Sequence, residues 1–129
     1  MRPIEVMLIE YDTGEALLID EILAESPLPI RLRIAKDGMQ ALFMLAGSIP
    51  PDLVIVDLNI PYISGHGVIE RYHPKDVPVI AFSSSANAAD KARALALGAR
   101  EYVQKPMDLS AYENAVRGIV EKWAIRRPE

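Results

Sequence analysis

Short apolar runs, each long enough to cross a sheet once, alternate in this chain with stretches of helical spacing, and that alternation restricts the fold more than any other feature. The runs are Val6-Met7-Leu8-Ile9, Leu53-Val54-Ile55-Val56 and Val77-Pro78-Val79-Ile80-Ala81-Phe82, with shorter or more polar ones at Ile30-Arg31-Leu32-Arg33-Ile34 and Glu101-Tyr102-Val103. An unbroken apolar run fits a strand covered on both faces, which is the situation of a parallel sheet clothed by crossover helices. Five βα units follow from the count, in an α/β sandwich with helices on both faces. The alternating run at residues 30–34 reads as an edge strand with one partly solvated face.

Each intervening stretch carries helix punctuation. Asp12-Thr13-Gly14-Glu15 resembles a capping box and opens a first helix with Leu17, Leu18, Ile22 and Leu23 on one face, ended by Pro27 and Pro29. A second helix starts near Asp37-Gly38, carries Ala41, Leu42, Leu45 and Ala46, and stops at Gly47 and Pro50-Pro51. Ser64-Gly65-His66-Gly67 leads into a short third helix with Val68, Ile69 and Tyr72, closed by Pro74. The alanine-rich stretch from Ala88 to Leu97 predicts a fourth, with Asn87 as N-cap and Gly98 as C-cap. A last helix is predicted from about Ser110 to Arg126, where Arg126-Arg127 complements its dipole.

The 129 residues are expected to form a single domain, 1–129, with no output domain attached. With 18 acidic and 14 basic residues the net charge is −4, so no broad positive field is present to hold nucleic acid or an anionic membrane. There is no cysteine, which removes disulfides, thiolate metal sites and cysteine nucleophiles. No apolar run approaches the ~20 residues of a spanning helix, and a cytoplasmic location without membrane association is expected. His66 and His73 are too few for a histidine metal cluster and read as surface residues.

In open α/β sheets, chemistry collects at the carboxyl edge of the strands. Four strand ends deliver polar groups there: Glu10 and Asp12, then Asp57, Ser83 and Lys105. Asp57 is a candidate nucleophile or metal ligand, or a turn-capping residue. Asp12 is a helix cap or a metal ligand. Clustered carboxylates suit Mg²⁺, and a metal, a lysine and a hydroxyl together can neutralise a phosphoryl group under attack by a carboxylate. Read without that chemistry, Ser83 belongs to a polar turn, Lys105 to the solvated surface and Tyr102 to a sheet edge.

The set Val56-Asp57-Leu58-Asn59-Ile60-Pro61, with Ser64-Gly65 beyond it, Ser83, Lys105-Pro106 and an acid after the first strand resembles the response-regulator receiver domain of two-component signalling over nearly the whole chain. The resemblance implies a doubly wound, flavodoxin-like parallel sheet in the order 2-1-3-4-5. It implies phosphorylation at Asp57, with Ser83 and Lys105 contacting the phosphoryl group. It implies Mg²⁺ on Glu10, Asp57 and the carbonyl of Asn59, and Tyr102 as an aromatic that changes rotamer with the hydroxyl. The implied donor is a phosphohistidine on a sensor histidine kinase or phosphotransfer protein. The implied output is a protein contact through the face of the fourth helix, fifth strand and fifth helix, with a homodimer among the outcomes. It also implies a specialised peptide geometry at Lys105-Pro106, with cis set against the trans form that most X-Pro bonds adopt.

One position departs from that pattern. Receivers commonly carry two adjacent acids after the first strand, whereas this chain has Glu10-Tyr11-Asp12, and a phenol is a poor Mg²⁺ ligand near neutral pH. Asp12 or water would then complete the coordination, with weaker Mg²⁺ binding as the expected result. The alternative is a degenerate receiver acting as a phosphorylation-independent docking or dimerisation module. A phosphatase with an aspartyl-phosphate intermediate fits poorly, because Asn59 stands where such enzymes resemble one another in carrying a general acid, and the chain is not expected to be an enzyme.

Overall fold

The computed structural model describes residues 2–47, 49–72 and 76–124. Five strands, β1 (Ile4–Ile9), β2 (Ile30–Ala35), β3 (Leu53–Val56), β4 (Val79–Ser83) and β5 (Glu101–Gln104), alternate with α1 (Thr13–Ala24), α2 (Gly38–Leu45), α3 (Gly65–Arg71), α4 (Ala88–Leu97) and α5 (Leu109–Ala124). All pairings are parallel and the strand order is 2-1-3-4-5. Registers such as Leu8↔Ile55 and Ile9↔Val56 align the carboxyl ends of β1 and β3, so Glu10 and Asp57 emerge side by side.

Strand periodicity divides the core in two. Val6, Leu8, Leu53, Ile55, Ile80 and Phe82 face α1 and α5, where Ile19, Leu23, Val116 and Val120 meet them. Met7, Ile9, Val54, Val56 and Ala81 face the other way, against Val68 and Ile69 of α3 and Ala94 of α4. The central strands therefore bury every residue, whereas β2 is only partly covered, as its alternating sequence predicts.

The caps follow the sequence. Asp12, Asp37, Ser64 and Asn87 each accept a bond from a backbone N–H in the first turn of their helix, and Gly98 closes α4 at φ 124°. Three expectations are corrected. The buried stripe of α1 is Ala16, Ile19, Ile22 and Leu23, while Leu17 is exposed. β4 begins at Val79, because Pro78 has no N–H to give and contributes its carbonyl to Val54 from outside the strand. No peptide bond among the described residues is cis, the one before Pro106 included. The expectations for His73, Pro74 and the Arg126-Arg127 end lie outside the described residues.

Gly118 lies inside α5, and a Cβ there would meet nothing within 4 Å. Gly118→Ala is therefore expected to raise stability by about 0.5–1 kcal/mol in urea denaturation, through helix propensity alone. A loss on substitution would reveal a contact at this face.

Candidate phosphoryl-acceptor site

The site is built where β1, β3 and β5 end. Backbone bonds from Glu10 N to Ala35 O and from Asp57 N to Ile9 O, both 3.0 Å, carry the ladder one residue past the strands and fix both acids at the rim. Lys105 is tied to the end of β4 by its N–H to Ser83 O at 2.7 Å. Its buried ammonium lies 2.8 Å from Glu10 Oε1 and 2.9 Å from Asp57 Oδ2. A third carboxylate, Glu15 of α1, also pairs with it through Oε2. Three carboxylates thus share one ammonium.

Each remaining oxygen bond has an identifiable source. Asp57 Oδ1 accepts from Asn59 N at 3.0 Å, and Glu10 Oε2 accepts from Asp12 N at 3.2 Å. In a capping box the Glu at Glu15 would reach back to Asp12 N. Here Glu10 satisfies that donor, so the Glu15 side chain is free to turn to Lys105 and to accept from Tyr112 Oη at 2.7 Å. Asp12 itself is exposed and caps α1 through Oδ1.

The charge balance shows in the titration of these groups. Burial, together with Asp57 and Glu15 nearby, pushes the Glu10 carboxyl up to about 7 against the lowering effect of Lys105. Burial alone would lower the Lys105 ammonium, but hydrogen bonds to Glu10, Glu15 and Asp57 more than reverse this and hold it above the usual lysine range. Burial of Glu15 is likewise outweighed by Lys105 and Tyr112, so its carboxyl lies below the ordinary value.

A raised carboxyl favours the protonated folded state, so stability is lost as pH rises from the unfolded value through about 7. Glu10→Gln, measured without divalent cations, is thus expected to stabilise the fold by about 1–2 kcal/mol above pH 7, a figure discounted for solvent screening. The gain should vanish by about pH 4.5, where the native carboxyl is also neutral. Equal stability of the two proteins in urea at pH 8 would contradict the charge excess.

Residues 6–117 match the response regulator receiver domain. This chain belongs to that family. Among curated proteins it is 28% identical to response regulator Rcp1 of Synechocystis, over 94% of this chain and 89% of that one. It is 32% identical to the probable transcriptional regulator ycf27 of Guillardia theta, over 88% of this chain and 48% of that protein. The chain spans half or less of the first curated relatives it matches. Among solved structures, the phosphorylated cyanobacterial phytochrome response regulator RcpA superposes with a TM-score of 0.87 at 31% identity, covering 95% of this chain and 94% of that one. The Mn²⁺-bound form of Rcp1 gives 0.86 at 26% identity, covering 98% of each.

The receiver's other expected residues lie around this centre. Ser83 is the buried last residue of β4, and its Oγ accepts from Ser85 N at 3.2 Å, which leaves the hydroxyl proton for another acceptor. Tyr102 on β5 is half-buried and donates through its hydroxyl to Ser85 O at 2.5 Å. Asn59 is exposed on the loop after Asp57. Tyr11 is 61% exposed.

Sequence reasoning missed three participants. Glu15 was hidden by its cap-like context, and Tyr112 by its distance along the chain. His66, expected at the surface, is buried at 6% exposure between α3 and α4. The signal for it was helical spacing, since His66 and Ile69 fall on one face of α3.

The donor set fits a hard divalent cation. It consists of oxygens alone, with a carboxylate excess over the single ammonium. Among the described residues no three His, Cys, Asp or Glu side chains form a self-sufficient metal cage. A bound ion would therefore rely on two carboxylates, a backbone carbonyl and water, which is how Mg²⁺ is usually held.

Proposed function

We propose that Asp57 accepts a phosphoryl group from a phosphohistidine donor and that the resulting acyl phosphate shifts a protein-contact face formed by α4, β5 and α5. The observation that carries this reading is the Lys105 ammonium resting on Asp57 Oδ2 at 2.9 Å, with Ser83 one backbone bond away. In the transfer step an Asp57 oxygen forms the O–P bond while the P–N bond to the donor imidazole breaks. The electron pair stays on the imidazole nitrogen, which then takes a proton. Lys105 and the Ser83 hydroxyl neutralise the phosphoryl oxygens, and positioning supplies most of the rate, as in phosphoryl transfer generally.

Glu10, Asp57 and the Asn59 carbonyl would hold Mg²⁺, with Asp12 or water completing the set. When bound, the ion screens the negative charge of the incoming group. The Glu10, Asp57 and Lys105 contact supports chemistry over docking alone, and the net charge of −4 supports a protein partner over nucleic acid. The output is a population shift between two conformations, biased by phosphoryl contacts that exist in only one of them.

Intact-mass spectrometry after incubation with acetyl phosphate, with and without Mg²⁺, tests the reading. A single-phosphoryl gain that requires Mg²⁺ and is absent in Asp57→Asn is the expected result. No gain in folded protein at any Mg²⁺ concentration would overturn it.

Tyr11→Asp should tighten Mg²⁺ binding several-fold in calorimetric titration, because it adds a carboxylate next to Glu10 on the rim. An unchanged Kd would mean that position 11 does not limit the site.

A further inference from the structure

A side chain outside the acid cluster reaches the phosphoryl-binding loop from behind. His66 is 6% exposed, yet neither of its ring nitrogens has a hydrogen bond among the described residues. An imidazole in that state is costly compared with an apolar residue of similar size. The His66 Nε2 lies 3.5 Å from Asp90 Oδ1, the first-turn acid of α4.

Asp90 leads directly to the loop. Its Oδ2 accepts from Ser85 Oγ at 2.7 Å. Ser85 uses its backbone as well, donating N–H to Ser83 Oγ at 3.2 Å and accepting from Tyr102 Oη at 2.5 Å. Its Oγ also accepts from Asn87 N at 3.1 Å. Ser85 is thus held by four hydrogen bonds through three of its atoms. The same groups border a cavity of about 340 Å³, lined by Asn59, His66, Ser83, Ser85 and Asp90 among others. The chain His66, Asp90, Ser85, Ser83 runs from α3 to the hydroxyl expected to meet the phosphoryl group.

We propose that His66 is a positioning residue for phosphoryl binding: its ring N–H closes on Asp90, holds Ser85, and so orients the Ser83 hydroxyl towards a phosphoryl group on Asp57. This rests on the reading of Asp57 as phosphoacceptor. Closing from 3.5 Å to ordinary hydrogen-bond length is a movement of about half an ångström, within the reach of a side chain at a helix interface. Closure gives the buried Nε2 its acceptor and braces the loop at the same time, so phosphoryl binding and His66 engagement reinforce each other. The Asp90 carboxyl is already held below its ordinary value, first by the Ser85 hydroxyl and further by His66 and Arg93. It therefore remains an acceptor.

The test measures binding of beryllofluoride, an acyl-phosphate mimic, in the presence of Mg²⁺, to the wild-type chain, His66→Leu, Asp90→Ala and the double variant. Each single substitution is expected to weaken binding about fivefold or more, and the double variant should be no weaker than the worse single one, because both break the same connection. His66→Gln, which restores an N–H towards Asp90, should recover affinity to within about twofold of wild type. Unchanged affinity in the single variants, or losses that multiply in the double variant, would overturn the proposal. Should His66→Leu fail to fold, His66→Met takes its place under the same fivefold criterion, because Asp90→Ala alone would also release Ser85. A wild-type chain that neither binds beryllofluoride nor gains phosphoryl mass would remove the Asp57 reading and this proposal together, whereas a working wild type with indifferent variants removes the His66 role alone.

Discussion

Lys105→Met is expected to reduce phosphoryl uptake from acetyl phosphate by about a hundredfold or more, since it deletes the one cation paired with Asp57 among the described residues. The same substitution should lower folding stability at pH 8, without divalent cations, by about 2–3 kcal/mol. Methionine keeps an unbranched apolar stem near the Phe82 ring, over which the ammonium lies at 5.6 Å, so the loss is one of charge more than of packing. Three carboxylates then lose the ammonium they share, and no other ion pair holds them among the described residues. Glu10, already pushed up to about 7, must rise further, and its protonation relieves the repulsion. A raised carboxyl contributes its penalty above the folded value, so the deficit should shrink as pH falls towards 5. Urea denaturation at pH 8 and pH 5, with intact-mass measurement of uptake, checks both effects. Wild-type stability at pH 8 would show that Lys105 does not balance these acids.

Gly65→Ala is the second large effect, and it is steric. A Cβ at Gly65 would lie 2.5 Å from both Asp57 O and Leu58 Cα, and 3.0 Å from Asp57 C. These are backbone atoms of Asp57 and Leu58, with no flexible side chain to yield. The Gly65 N–H donates to Leu58 O at 3.0 Å, so the start of α3 is fastened to the loop it would have to leave. A loss of about 3 kcal/mol is expected, with phosphoryl uptake falling in parallel because Asp57 is displaced. Gly118→Ala, a glycine replacement at an open helix position, is the matched control. Near-equal effects of the two substitutions would mean that the close approach at Gly65 is not rigid.

The pattern of elements was legible because each local signal agreed with the global fold. The apolar runs of β1, β3 and β4 are covered on both faces, and Asp12, Asp37, Ser64, Asn87 and Gly98 mark the helix ends they cap. Glu10, Asp57, Ser83 and Lys105 were legible for a related reason: they directly follow or end strands, and the parallel sheet brings all strand ends to one rim. What escaped was decided by distance along the chain. Glu15 and Tyr112 are 97 residues apart, and only the packing of α1 against α5 brings their side chains together. His66 failed for another reason: a histidine between two glycines reads as a polar loop residue, and the α3 periodicity that buries it spans only seven residues. Leu17 shows the converse error, since apolar character alone did not place it on the buried face of α1.

The Tyr112 hydroxyl on Glu15 has a consequence for how the molecule can be observed. Tyr112 lies in the first turns of α5, its ring packed against Phe82 at 5.3 Å, and its backbone N–H is held by Asp108 O. Any event that draws Lys105 away from Glu15 leaves that carboxylate to lean more on the Tyr112 hydroxyl, and the load on this corner of the helix changes with it. On the proposed function, the amino-terminal amides of α5 would then register the occupancy of Asp57 through their rates of deuterium uptake, a readout that needs neither a label nor a bound partner.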